Sequence, residues 1–584
     1  MRETDDRIRR NKNRYFVNGA FRHFFIPAVA STFWQAVAGV ADSVFVGNAI
    51  GAAGLAAIGF GQPIYLFYNI LSYGLSIGGS IHYAARMAEG RKEEGNRIFI
   101  TILKILLSIY MVTAALGILF LPQLMGLLGA DPADEVTRAY IRTQLLFVPI
   151  MFLQGPLYYF VNADSGPKAA AVALSLSGVM DAVFSYIFVI KMDLGIVGSV
   201  YSTVVGALLM LGITGGHVLQ KKGQLRFQWE KTDWKTAALS VKTGFATSTE
   251  YLFEFITMIA VNRMLAHMGG NTAVAVFNVV YNVSLLCNAI PQGTVVAIEP
   301  MLSSYRSERN RFNIRHTLKL ALIRGGMASL LFALVCLTFA QEFGMLFGMK
   351  PGQEMTFATR GIYIYALSIL PAMLNLIFCG YYQAILREKF AYVITLLRSL
   401  TFYLTAVLLC NYGSIREFWY VFVISEVSTL IIWGLIALFY GGLDQLQKMD
   451  TSHASTVIVD SSVQNISQVS QELQEFCRKN GTSEAQAAYV GLTVEELCSA
   501  IVDRFRDQMG KIYVQATVIV ENGETQLYLR DNAYSFNPLG ENTEEIDMES
   551  GEKLNLLGIR IVQKKAKEFF YRRYSGFNTM VIRL

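Results

Sequence analysis

Long apolar runs separated by short polar breaks occupy the first three-quarters of the chain, and each reaches the roughly 20 residues that a helix needs to cross a hydrocarbon core. They fall at 24–46, 55–84, 98–121, 140–163, 169–190 and 194–219, and then at 243–268, 273–298, 318–340, 361–386, 390–410 and 418–440. Twelve spans in two sets of six are therefore predicted. Beyond residue 440 the pattern changes: a short strand at 456–459, helices at 463–480 and 483–506, a hairpin at 512–530 turning at Asn522-Gly523, an acidic irregular stretch, a helix from about Leu557, and two closing strands. Asn-Gly between two alternating runs is a strong hairpin signal. The fold class expected is an all-α polytopic membrane protein of two six-helix repeats carrying a C-terminal α+β sandwich domain.

Composition agrees with a chain that lives mostly in lipid. Of its 584 residues 53% are hydrophobic and only 16% charged, with a mean hydropathy of +0.38, whereas soluble domains carry about a quarter charged residues. Charge then sets orientation, because Lys and Arg in short loops stay on the cytoplasmic side. Arg7, Arg9, Arg10, Lys12 and Arg14 precede the first run; Arg86, Arg91, Lys92 and Arg97 follow the second; Lys221, Lys222 and Arg226 follow the sixth. The loops after the eighth run (Arg306, Arg309, Arg311, Arg315) and the tenth (Arg387, Lys389) repeat the pattern, and all of these lie on one face. The opposite loops are short and neutral, as at 47–54, or acidic, as at 131–135. Both termini are expected in the cytoplasm and the chain in the plasma membrane. The net charge of +6 follows from this bias and does not signal nucleic acid. The N-terminal run is too long for a cleavable signal, and the six cysteines show no metal or redox spacing.

The domain limits that follow are a cytoplasmic N-terminal segment (1–22), a first bundle (23–220), a linker (221–236), a second bundle (237–440), a second linker (441–455) and a cytosolic domain (456–584). The halves resemble each other at a spacing of about 219 residues, with Gly51 set against Gly269 and Gly74 against Gly293. Six spans per half is an even number, so the repeats enter the membrane in the same direction.

Particular stretches sharpen the picture. IPAVASTFWQAVAGVADSVFVGNAIGAAGLAAIGFGQPI from Ile26, GLSIGGSIHYAARMAEGRKEEGN from Gly74, ADSGPKAA from Ala163, LGIVGSVYSTVVG from Leu194 and FWYVFVISEV from Phe418 resemble, in order and spacing, the multidrug and toxin extrusion (MATE) transporters from about Asn18 to Tyr440. The resemblance implies an antiporter that exports drug-like, often cationic, compounds against H⁺ or Na⁺, that needs no other cofactor, and that holds its whole pathway in one chain. Within it, Asp42 matches the first-helix acid that helps bind the coupling ion. An acid at mid-membrane costs about 2.5–3.5 kcal/mol even on lenient insertion scales, so one that persists usually faces a cavity or a partner.

The fifth span departs from the family pattern. Asp181 stands where the family has Asn and Ser185 where it has Asp, moving the carboxylate one helical turn along a shared face. Asp181 is read with Asp42 as a cation-coupling pair, against the plainer reading that it only bonds a neighbouring helix. Thr203 matches a supporting polar position, and a hydroxyl bonded to its own helix is an equal reading. Glu250 and Glu254, one turn apart in the seventh span, are candidates for holding a coupling ion or a cationic substrate. Glu299 is read as solvated, and Arg398 as snorkelling to the cytoplasmic headgroups rather than as a counter-ion to an acid such as Glu426. Aromatics including Trp34, Tyr65, Phe277 and Tyr281 offer faces for organic cations.

In the tail, VEELCSAIVDRF from Val494, LRDNAYSFNP from Leu529 and LNLLGIRIV from Leu554 resemble the nucleotide-binding boxes of the histidine-kinase-like ATPases, closest to the anti-sigma-factor serine kinases. The resemblance places Glu496 as general base, Asp531 on the adenine amino group and Gly558 at the phosphates. Ala500 replaces the Mg²⁺-binding Asn, and Ala533, Ser535 and Leu556 replace glycines. Phosphoryl transfer relies on metal-assisted charge stabilisation. The domain is therefore expected to be degenerate, binding nucleotide weakly or binding a cytosolic protein, and regulating transport. Two alternatives stand beside the exporter: a flippase for a lipid-linked or amphipathic intermediate, which basic residues in the central cavity would favour, and a sensor or kinase acting through the tail.

Overall fold

A computed structural model describes residues 2–88, 91–164, 166–228, 232–446, 449–460, 463–504, 512–521, 523–534, 554–574 and 577–584. Helix α1 (Arg2–Ile50) runs through Pro27 and is followed by α2 (Ala52–Ala88), α3 (Lys92–Leu119), the short α4 (Leu121–Leu128), α5 (Glu135–Ala163), α6 (Pro167–Ser185) and α7 (Ile196–Leu219). Asp134 opens α5 by accepting from the Val136 and Thr137 amides, which satisfies donors that a helix start leaves without partners. Helix α8 (Trp234–Ser307) begins the second half and is capped by Asp233 in the same way. Helices α9 (Arg311–Leu320), α10 (Gly326–Thr338), α11 (Ala340–Leu346), α12 (Gln353–Ala384), α13 (Glu388–Tyr412), α14 (Ile415–Phe418) and α15 (Val421–Phe439) complete it.

Eleven helices among the described residues are long and apolar enough to cross a membrane. The seventh and eighth predicted runs both fall in α8, whose 74 residues would extend about 110 Å as one rod at 1.5 Å per residue, far beyond a hydrocarbon core of about 30 Å. It breaks at Gly269 and Gly270, and Gly270 takes a left-handed φ of 61°. The turn between α1 and α2 uses Gly51 in the same way, with φ 79°. The structural counterpart of Gly51 is thus Gly270 rather than the expected Gly269. Only glycine adopts this conformation without steric cost.

Helices α2 and α8 carry the most deeply buried of these spans. Large apolar side chains such as Met111, Leu119, Leu408 and Phe439 are exposed on the outside, as a lipid-facing surface requires. Helices α2 and α8 approach very closely: a Cβ on Gly78 would lie 1.9 Å from the Ser240 carbonyl oxygen, and one on Gly244 would lie 1.8 Å from that of Gly74. Gly78→Ala is expected to destabilise the fold by about 1–3 kcal/mol through overpacking, seen as a lower melting temperature in detergent. Gly212→Ala, where a Cβ meets open space, should leave melting unchanged.

The tail forms one five-stranded antiparallel sheet. Its strands are β1 (Ala454–Asp460), β2 (Tyr513–Glu521), β3 (Glu524–Asp531), β4 (Glu568–Tyr574) and β5 (Phe577–Arg583), in the order β1-β2-β3-β5-β4. The β2–β3 hairpin turns through Gly523 at φ 80°. Helices α16 (Val463–Lys479), α17 (Glu484–Arg504) and α18 (Leu554–Lys565) share one apolar core with alternate strand residues, among them Val514, Ala516, Val518, Leu527, Leu529, Met580 and Ile582.

Candidate ion and substrate site

Three helices bring the first-half polar residues together. Asp42 on α1, Asp181 near the end of α6 and Thr203 on α7 line one cavity of about 430 Å³, with Tyr140 from α5 and Asn278 and Tyr281 from α8. Gly206 lets α7 approach α6 closely, since a Cβ there would lie 2.9 Å from the Ser177 carbonyl and 3.4 Å from Asp181 Cβ. After Ser185 the helix loosens into a π-helical turn over Tyr186–Lys191, a distortion frequent at functional sites. Asp42 lies within electrostatic reach of Asp181, with the Ser185 and Thr203 side chains beside it. The Thr203 hydroxyl also donates to the Ser199 carbonyl of its own helix at 3.1 Å.

One oxygen of each acid, Asp42 Oδ1 and Asp181 Oδ1, is buried without a hydrogen-bond partner among the described residues. A buried polar atom left without a partner costs free energy, and two carboxylates side by side repel. A proton or a cation between them would relieve both penalties. Besides the two acids the cavity is lined by hydroxyl and amide side chains such as Ser43, Gln62, Asn69, Thr203 and Asn278, so a cation here would be held by carboxylate, hydroxyl and carbonyl oxygens.

A second cavity of about 480 Å³ lies in the other half, walled by Phe277, Tyr365, Phe402 and Phe422 and carrying Glu254, Arg398 and Glu426. Glu254 accepts from the Tyr281 hydroxyl at 2.8 Å, and these two residues border both cavities. The side chain of Glu250 lies outside the described residues. Arg398 corrects the snorkelling expectation. It grips Glu426 through Nη2 at 2.6 Å and Nε at 3.1 Å, while Asn375 Nδ2 donates to the same carboxylate at 2.7 Å and Trp433 Nε1 donates to Asn375 Oδ1 at 2.7 Å. Pattern reading could have suggested the pair, since an Arg and a Glu inside neighbouring spans need one another, but spacing alone does not set two helices in register. Tyr140, Asn278 and Asn375 carried no signal of this kind. Of the aromatics noted from sequence, Tyr65, Phe277 and Tyr281 line cavities, whereas Trp34 is exposed. Glu299 is exposed as well.

In the tail, Asp531 ends β3 fully buried. Its Oδ1 accepts from the Ala533 amide at 2.9 Å and from Asn578 Nδ2 of the last strand at 2.7 Å. Burial and the neighbouring Glu495 raise the carboxyl of Glu496 above its ordinary value. Ala500 packs into the core. Gly558 and Leu556 fall on α18, and Ser535 lies outside the described residues.

The MatE family model matches two segments, 27–187 and 246–408, whose starts are 219 residues apart. The probable multidrug resistance protein YoeA of Bacillus subtilis (strain 168) is 25% identical over 324 residues, which cover 53% of this chain and 69% of that one. The probable multidrug resistance protein NorM of Idiomarina loihiensis is 22% identical over 313 residues, covering 52% of this chain and 66% of its own. Among solved structures, an inward-facing multidrug resistance MATE family transporter of the MOP superfamily superposes with a TM-score of 0.64 at 18% identity, over 71% of this chain and 96% of that one. A MOP superfamily transporter from Pyrococcus furiosus, described as having a binding pocket of reverse polarity, gives 0.54 at 19% identity over 74% and 96%.

Proposed function

The chain belongs to the MatE family of multi-pass membrane transporters, and from that premise we propose that it is a secondary active exporter of drug-like, often cationic, compounds, driven by inward movement of H⁺ or Na⁺. The observation that carries this reading is the pair of buried carboxylate oxygens without hydrogen-bond partners, Asp42 Oδ1 and Asp181 Oδ1, in a cavity that meets the aromatic second cavity at Glu254 and Tyr281. The coupling ion binds at the acid pair, and the organic cation is drawn to a pathway with four carboxylates against one guanidinium, itself already paired to Glu426. That balance weighs against a flippase for a lipid-linked or amphipathic intermediate, which basic residues in the cavity would favour. Two matched segments of similar length support two repeats of six helices with the pathway between them, and the basic loops favour both termini on the cytoplasmic side. The tail regulates rather than phosphorylates, in keeping with Ala500.

The test is uptake of a fluorescent organic cation into inside-out vesicles under an imposed pH or Na⁺ gradient, with ATP plus Mg²⁺ and no gradient as the comparison. Uptake is expected under one gradient and absent with ATP alone. No response to either gradient would remove the antiport reading.

A further inference from the structure

The tail's sheet has a second face, and it is not left to water. Residues alternating with the core set, such as Ile458 and Phe577, are buried in a cluster with Phe16, Val17, Met301 and Tyr305 from the ends of α1 and α8. Gln515 and Thr517, polar residues on this face, are each 1% exposed. Such residues on an uncovered sheet would be solvated, so their burial marks an interface.

The interface is made with the N-terminal part of α1 and with the α8–α9 turn. Towards α1, Gln515 Nε2 donates to Asn13 Oδ1 at 3.1 Å, the Tyr513 ring lies 5.2 Å from that of Tyr15, and Phe577 meets Phe16 edge-on and stacks on Phe24. Towards the α8–α9 turn, Arg530 pairs with Glu308 at 2.5 Å, their side chains 11% and 2% exposed. The guanidinium also sits 5.2 Å from the Tyr305 ring centre. Arg309 pairs with Glu521 at the rim, and Asn310 Nδ2 donates to Thr456 Oγ1 at 3.2 Å. The linker is fastened too: the Tyr381 and Tyr382 hydroxyls donate to the Asp444 and Leu443 carbonyls at 2.7 Å each, and Arg315 pairs with the Asp444 carboxylate.

A buried ion pair across an interface fixes geometry more than it adds affinity, and this one joins the α8–α9 turn to a sheet that also grips the N-terminal part of α1, whose Phe16, Val17 and Phe21 pack with Met301, Ile314 and Leu318 of α8 and α9. We propose that the tail is a clamp: seated through β1, β2, β3 and β5 on the N-terminal part of α1 and on the α8–α9 turn, it holds this end of the second bundle in the arrangement of this structure, and transport requires it to let go of the α8–α9 turn. The inference rests on alternating access between the bundles, as proposed above.

The test uses the full chain with its six native cysteines replaced and with Arg309→Cys and Glu521→Cys at the accessible rim. A short, reducible bis-methanethiosulfonate reagent bridges the two. Bridging is expected to lower gradient-driven uptake at least tenfold, and reductant to restore it. Uptake that is present and unchanged by bridging overturns the clamp and leaves the antiport reading standing. Should the unbridged protein show no uptake, hydrogen–deuterium exchange decides independently of the substrate: slower exchange in the α2 segment around Gly74–Gly78 on bridging supports the clamp, and equal exchange overturns it. Failure of the two cysteines to bridge at all overturns the docked arrangement itself.

Discussion

Asp42→Asn is expected to cut gradient-driven uptake of an organic cation by roughly 10–100-fold while the protein remains folded. The substitution keeps the shape of the side chain and removes its charge. A hydrogen bond to a charged group is worth about 1.5–3 kcal/mol, and each 1.4 kcal/mol is about tenfold in affinity. Asp42 Oδ1 has no hydrogen-bond partner among the described residues to be lost, so what the variant removes is chiefly the attraction for the incoming ion. Vesicle uptake under the productive gradient, with chromatographic monodispersity as the folding control, makes the check. Uptake retained in Asp42→Asn but lost in Asp181→Asn would move the ion-binding role to α6.

The second large effect concerns stability. Arg398→Ala should destabilise the transporter by about 3 kcal/mol, the low end of the range for breaking a buried ion pair, because it leaves the Glu426 carboxylate, among the described residues, with Asn375 as its hydrogen-bond donor. The low end applies since the two side chains keep 26% and 15% of their surface open to the cavity, where water screens the charge. Arg398→Ala combined with Glu426→Ala should recover part of the loss, because the stranded charge is gone. Melting of the two single variants, the double variant and the native chain in detergent gives the coupling directly. A double variant no better than Arg398→Ala would mean that the pair is not coupled. Glu426→Gln separates charge from shape, since it retains the acceptor for Asn375.

Much of this architecture was legible in the pattern of apolar positions. The runs at 24–46 and 55–84 lie within α1 and α2 because a segment of that length in lipid has no other way to satisfy its backbone. The hairpin turn at Gly523 was legible for an equally local reason, a left-handed conformation that glycine alone adopts cheaply. The acids were visible as candidates, since Asp42 and Glu254 stand out in apolar surroundings. Arg398 was misread because its alternatives, snorkelling or pairing, differ only in which way the long side chain turns, and that is decided by whether α15 brings Glu426 alongside.

Local chemistry thus determined where the apolar helices run, the charge asymmetry of their loops and the β2–β3 hairpin turn, because each depends on residues close together in the chain. Tertiary packing alone decided that Asp42 and Asp181 share one cavity, that Glu254 borders two, and that Glu308 meets Arg530, 222 residues on. These facts rest on the close approach of helices such as α2 and α8 at Gly78 and Ser240, and on a sheet face seated against α1. Contacts between residues hundreds of positions apart leave no periodic trace in sequence; they exist only once the elements have packed.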